Sequence, residues 1–246
     1  MIPKVIHYCW FGRNPLPKMA VKCIASWRKF LPDYEIKEWN EDNFDVNIIP
    51  YTKDAYADGK YAFVSDFARF WILYRYGGVY FDTDVEVIKP MDDIIGRGPF
   101  MGLEIAGRGG KIAPGLGLAA ESGNPVYEEI IDDFEHLDYH LPDGTRNPYT
   151  MIPLVTDLMC ARGLTGCEDI QNVDGIDIYA PDYFNPLDDA TGRLRKTENT
   201  RTIHWFMKSW MPEENRLIVW LKRLSRRLLG TRITTAVKHI LKRYYR

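Results

Sequence analysis

No apolar run in the 246-residue chain approaches the roughly 18–20 residues needed to cross a bilayer. The start, Met1-Ile2-Pro3-Lys4, lacks the basic segment and apolar core of a secretory signal. Both absences argue against an integral membrane protein and against signal-led export, and they favour the cytoplasmic side of a membrane as the place of work. Cysteine is scarce. Cys9, Cys23, Cys160 and Cys167 include no Cys-x-x-Cys pair, which removes a zinc knuckle and a thioredoxin motif. A chain of this size needs no disulfides, so the four read as reduced thiols. Glycine (19) and proline (15) are too ordinary for a collagen-like or low-complexity chain.

What is present is a core-forming composition. Hydrophobic residues make up 46% and charged residues 27%, enough for one large α/β domain with an appendage. The net charge of -2 hides a split. Residues 216–246 carry 10 Lys/Arg and no Asp/Glu, which leaves 22 basic against 34 acidic residues, a charge of -12, in 1–215. The expected division is therefore a catalytic domain over 1–215 and a basic helical extension over 216–246.

Lys4–Phe11 is a short run of β-formers ending at Gly12 and reads as a buried first strand. Met19, Cys23, Ile24, Trp27 and Phe30 give helical spacing over 16–30, and 34–39 alternates like a strand. The stretch to about residue 60 reads as irregular. Tyr61–Tyr76 reads as a buried helix stopped by Gly77-Gly78, followed by a short strand Val79-Tyr80-Phe81. Further on, 113–117 reads as a flexible loop, 125–137 and 149–162 as helices, and 176–179 and 202–205 as strands. Strands alternating with helices imply a layered sheet.

Asp82 and Asp84 follow the apolar strand at its C-terminal end, where open α/β sheets bind ligands. If the strand continues through them, a spacing of two puts both carboxylates on one face. At about 6 Å and an effective dielectric of about 20 they repel by about 3 kcal/mol. A divalent cation removes that penalty, and hard oxygen ligands suit Mg²⁺ or Mn²⁺. A surface Asp-Thr-Asp turn is the plain alternative. Asp66 and Arg69, three apart, share a helix face. They form either an internal ion pair or an acceptor and a donor fork aimed at sugar hydroxyls.

Two motifs together resemble the glycosyltransferases whose sugar-binding region contains a DXD motif, family 32 with its yeast-type initiating mannosyltransferases. They are also similar to the glucosylating domains of large bacterial toxins. The first is Ile6-His7-Tyr8-Cys9-Trp10-Phe11-Gly12. The second runs from Ser65-Asp66-Phe67-Ala68-Arg69 to Gly77-Gly78-Val79-Tyr80-Phe81-Asp82-Thr83-Asp84. The resemblance covers chiefly 1–12 and 61–90.

It implies a GT-A fold, a nucleotide-diphospho-sugar donor with a UDP-sugar favoured, a divalent cation, and retention at the anomeric carbon. By the same resemblance Trp10 would stack on the nucleobase, and Ser65, Asp66 and Arg69 would hold ribose or sugar. Tyr80 would line the donor site, Asp82 would reach the metal or ribose, and Asp84 would ligate the metal directly. The segment Thr202–Trp210 resembles the closing segment of such sites, with His204 or Ser209 as a late metal ligand and Lys208 and Trp210 at the diphosphate. Asp66, Arg69 and Asp84 are thus the expected catalytic residues. A saccharide or lipid-linked saccharide is the expected acceptor, in surface polysaccharide synthesis.

In the tail, Leu217, Trp220, Leu221, Leu224 and Leu228 fall on one helical face, with Arg216, Lys222, Arg223, Arg226 and Arg227 largely opposite. Such a helix either packs on the body with a solvated basic face or docks on an anionic membrane surface. The acidic body argues against nucleic acid. A non-catalytic nucleotide-sugar binding module is the alternative to the transferase. A metal phosphoesterase would need further clustered His/Asp ligands, which the sequence does not show.

Overall fold

The computed structural model describes residues 1–105, 110–166, 168–207, 220 and 223–227. β1 (Val5–Cys9) is followed by α1 (Lys18–Phe30), which buries Ala20, Cys23, Ile24 and Trp27 at helical spacing. β2 (Glu35–Trp39) pairs parallel with β1 in the register Val5↔Glu35. The segment expected to be irregular holds a helix, α2 (Pro50–Ala57). Its proline stands in the first turn, where a missing N–H leaves no helical bond unmade. α3 (Tyr61–Tyr76) matches its sequence pattern, and Gly77 caps it at φ 64°.

β3 (Gly78–Tyr80), β4 (Val85–Val87), α4 (Asp92–Ile95) and β5 (Phe100–Ile105) follow. Then come β6 (Lys111–Ile112), a 3-10 turn at Pro114–Leu116, β7 (Leu118–Ala120), α5 (Pro125–Glu135) and α6 (Met151–Ala161). The described chain closes with β8 (Ile170–Val173), β9 (Ile176–Tyr179), α7 (Pro181–Phe184), β10 (Leu187–Asp188), β11 (Arg193–Leu194) and β12 (Thr202–His204). Trp220 and residues 223–227, all of the 216–246 extension that is described, are helical.

The main sheet runs β2-β1-β3-β7-β5-β9-β8, with β6 added to β5. β1, β2 and β3 are parallel, β7 reverses, and β5 and β9 return to the first direction. The C-terminal ends of β1, β3, β5 and β9 therefore share one edge. One core cluster packs Phe67, Phe70, Tyr127, Phe134 and Met159 from α3, α5 and α6. The other packs Trp27, Phe81, Met91 and Phe184. With both faces covered, side chains that leave that edge are the ones placed to meet a ligand.

His7 is structural. It is 2% exposed, and its Nδ1 accepts from the Trp39 indole at 3.0 Å. That bond leaves the proton on Nε2, which donates to Gly77 O at 2.9 Å. Burial pushes the imidazole pKa down to about 4, with the nearby Lys37 charge adding to the effect. Gly78 has φ 110°, and a Cβ there would lie 2.7 Å from Val5 O and 2.9 Å from His7 Nε2. The glycine pair and the histidine are thus one packing unit that sets the start of β3.

Two further expectations need correction. Residues 113–117 are no flexible loop: Pro114, Gly115 and Leu116 form a buried 3-10 turn, with Leu116 inside the second core cluster. The strand ends at Tyr80, one residue earlier than its apolar pattern suggests. Cys9, Cys23 and Cys160 are free thiols, and Cys167 lies outside the described residues.

Candidate donor and metal site

The chain leaves β3 and turns. The Val85 N–H donates to Asp82 O at 3.0 Å, so Asp82 and Asp84 stand in a turn and do not share a strand face. The turn still brings the two carboxylates together. β12 pairs antiparallel with β4 and sets His204 opposite Val85. His204 Nε2 then lies 3.1 Å from Asp84 Oδ1. One ligand atom each from Asp82, Asp84 and His204 lies within 4.8 Å of the others.

The turn is anchored from below. Arg69 is 3% exposed, and its Nη2 lies 3.0 Å from Asp66 Oδ1 and 3.2 Å from Asp82 Oδ1. Its Nε donates to Ser65 O at 3.0 Å. Tyr80, fully in the core, donates its hydroxyl to Asp82 Oδ1 at 3.1 Å, and the guanidinium stands 5.1 Å from its ring centroid. Of the two readings of the Asp66–Arg69 pair, the geometry shows the internal ion pair, and the same guanidinium orients Asp82. A buried carboxylate cluster of this kind is tolerated because each member has a charged or hydrogen-bonding partner.

The electrostatics separate the three acids. Burial pushes the Asp66 carboxyl up to about 6 against the pull of Arg69. Burial also raises Asp82, with the Asp84 charge adding and Arg69 opposing. Asp84 goes the other way. Burial alone would raise it, but the His204 cation, its hydrogen bond and the Met207 N–H at 2.9 Å outweigh burial. His204 is correspondingly raised: burial opposes its charged form, and Asp84 overrides burial. Asp66 and Asp82 thus share the Arg69 cation while Asp84 faces His204, and the remaining negative charge suits a divalent ion. Two carboxylates and an imidazole are an apt ligand set for Mn²⁺ and an acceptable one for Mg²⁺. His204 Nδ1 is buried without a hydrogen-bond partner among the described residues.

Three supporting residues carry no sequence signal for this role. Gly115 lets the 3-10 turn pass against Asp82: a Cβ there would lie 2.1 Å from Asp82 Oδ2 and 3.2 Å from Arg69 Nη1. Glu86 on β4 accepts from the Trp205 indole at 2.8 Å and pairs with Lys22 at 3.0 Å, fastening the segment just after His204. Glu41 accepts from the Gly12 N–H at 2.6 Å and from the Tyr56 hydroxyl at 2.9 Å. It thereby holds the turn that follows Trp10. Their roles come from contacts between segments distant in the chain.

Trp10 itself follows β1 at the same sheet edge as Asp82. It is half-buried, and its indole donates to Asn14 O at 2.6 Å. Ser65 is also half-buried, with its hydroxyl donating to Tyr61 O at 3.2 Å. Lys208, Ser209 and Trp210 lie outside the described residues.

Residues 17–101 match the family described as glycosyltransferase sugar-binding region containing DXD motif. Over that region the chain is similar to the DXD-motif glycosyltransferases. It is 32% identical over 111 residues to inositol phosphoceramide mannosyltransferase 1 of Schizosaccharomyces pombe, covering 41% of this chain and 33% of the relative. It is 34% identical over 106 residues to the uncharacterized glycosyltransferase L373 of Acanthamoeba polyphaga mimivirus, covering 41% and 42%. The chain spans about a third of the length of the yeast relatives it matches. Among solved structures, the PaToxG glycosyltransferase superposes with a TM-score of 0.50 at 18% identity, over 65% of this chain and 69% of that one. The fold is thus the α/β, GT-A type.

Proposed function

We propose that this protein is a divalent-metal-dependent, retaining glycosyltransferase of the DXD-motif kind. It takes a hexose from a nucleotide-diphospho-sugar to a glycan or lipid-linked saccharide, in the building of a surface polysaccharide. The observation that supports this reading best is the convergence of Asp82, Asp84 and His204 at the sheet edge, backed by Arg69 and Asp66. The mannosyltransferase names of the yeast relatives put mannose among the first sugars to test.

Asp84 and His204 hold the metal in this reading, with Asp82 reaching it or the ribose. A divalent cation there supplies Lewis-acid neutralisation of the charge that builds on the β-phosphate as the anomeric C–O bond breaks. The chain's own residues do the rest. Arg69 and Tyr80 fix Asp82 before substrate arrives, so no reorganisation is needed during the reaction. Asp66, with Ser65 beside it, accepts hydroxyl protons of the sugar or ribose and orients the donor. Trp10 offers an aromatic face to the nucleobase. Lys208 and Trp210 belong to the same proposal as diphosphate contacts, and Ser209 as a further metal contact.

Turnover with a panel of UDP- and GDP-sugars and saccharide acceptors, with Mn²⁺ or with EDTA, tests the reading. Sugar transfer that needs the metal supports it. Tight donor binding without transfer to any acceptor would instead assign a non-catalytic nucleotide-sugar module.

A further inference from the structure

Outside the donor site, the described residues carry one surface whose chemistry points to a partner. Trp220 and residues 223–227 are helical, and Trp220 and Leu224 stand four apart in the sequence. Trp220 is 57% exposed and Leu224 39% exposed. Arg223 holds this helix to the body: its Nε donates to Asp189 O at 3.0 Å, and its guanidinium pairs with the Asp189 carboxylate. Asp189 lies in the β10–β11 hairpin, where Leu194 is also 40% exposed. That hairpin follows β9 and α7, and β9 ends at the same sheet edge as Asp82.

Charge selects the partner. Residues 216–246 hold 10 Lys/Arg and no Asp/Glu, whereas residues 1–215 carry 22 basic against 34 acidic residues. An anionic surface therefore repels the body and attracts the extension, so the two can meet in one orientation only. Exposed Trp and Leu beside arginines suit the boundary between headgroups and acyl chains. A nucleic acid would find the charge and could stack on Trp220, but it would gain little from Leu224 and would be repelled by the acidic body.

We propose that the Trp220/Leu224 face is a docking surface for an anionic lipid bilayer. The docking itself does not depend on the glycosyltransferase reading, because partition is measured without turnover. The reading adds only that the acceptor is lipid-linked.

Vesicle flotation of the full chain tests it, with phosphatidylcholine vesicles containing or lacking phosphatidylglycerol. The full chain is expected to float with the anionic vesicles, to sediment with the neutral ones, and to be released by high salt. Trp220→Ser with Leu224→Ser is expected to lower partition by at least about tenfold. Circular dichroism and the melting temperature of that variant should match wild type. Equal flotation of the folded variant would overturn the proposal. So would equal flotation with both lipids, or retention of the chain by RNA and not by vesicles.

Discussion

The backbone of Gly115 passes so close to Asp82 that a Cβ would stand 2.1 Å from its Oδ2. Asp82 cannot easily retreat, because Arg69 and Tyr80 hold its other oxygen. Gly115→Ala should therefore displace the carboxylate and weaken Mn²⁺ binding by about tenfold, with a melting temperature within a few degrees of wild type. Paramagnetic titration of Mn²⁺ measures the first effect and calorimetry the second. Unchanged metal affinity would show that this contact does not shape the site.

Arg69 is the single buried cation between two acids, so its loss leaves Asp66 and Asp82 facing each other unpaired. Arg69→Met should cost about 3–5 kcal/mol of stability at neutral pH. Urea denaturation measures it. Without the Arg69 charge, which holds the Asp66 pKa down against burial, Asp66 takes up its proton more readily than in wild type, so part of the loss should return on acidification.

Glu86 acts at one remove from the metal site. Without its carboxylate the Trp205 indole and Lys22 lose their shared partner, and the segment after His204 is less firmly held. Glu86→Ala is expected to weaken Mn²⁺ binding about three- to tenfold while the body stays folded. A purely structural role would lower the melting temperature without moving metal affinity.

His7 gives a pH test. Its folded-state pKa, pushed down to about 4 by burial, lies below the unfolded value of about 6.5. Between these values the unfolded chain binds the extra proton, so stability falls as pH drops from about 6.5 to about 4, by an amount on the order of 3 kcal/mol. Imidazole resonances of His7 should not titrate between pH 8 and 5. A midpoint near 6.5 would contradict the buried, neutral assignment.

The legible parts of this chain were those whose signal is local. α3 was readable because 16 residues of largely apolar helix end at a glycine pair. The Asp82–Asp84 pair was readable because it follows a strand, and its neighbours resembled a family motif. α2 escapes the sequence because its eight residues start on a proline and bury only Tyr51, Thr52 and Ala55, too few for a helical period to stand out. β7 is three residues of Leu-Ala-Ala beside a glycine-rich turn, too short for a period. Gly115 looked flexible because its constraint comes from Asp82, distant in sequence. Glu86 looked like one polar position in an alternating strand. His204 could be singled out only through the resemblance, since β12 meets β4 across more than a hundred residues.

The direct test of the account is calorimetric titration of Mn²⁺, with and without a nucleoside diphosphate, into wild type, Asp84→Asn and His204→Ala. The account predicts one bound ion in wild type, tighter binding with the diphosphate, and loss of at least about a hundredfold in affinity for Asp84→Asn. Equal Mn²⁺ affinity in wild type and Asp84→Asn would contradict it.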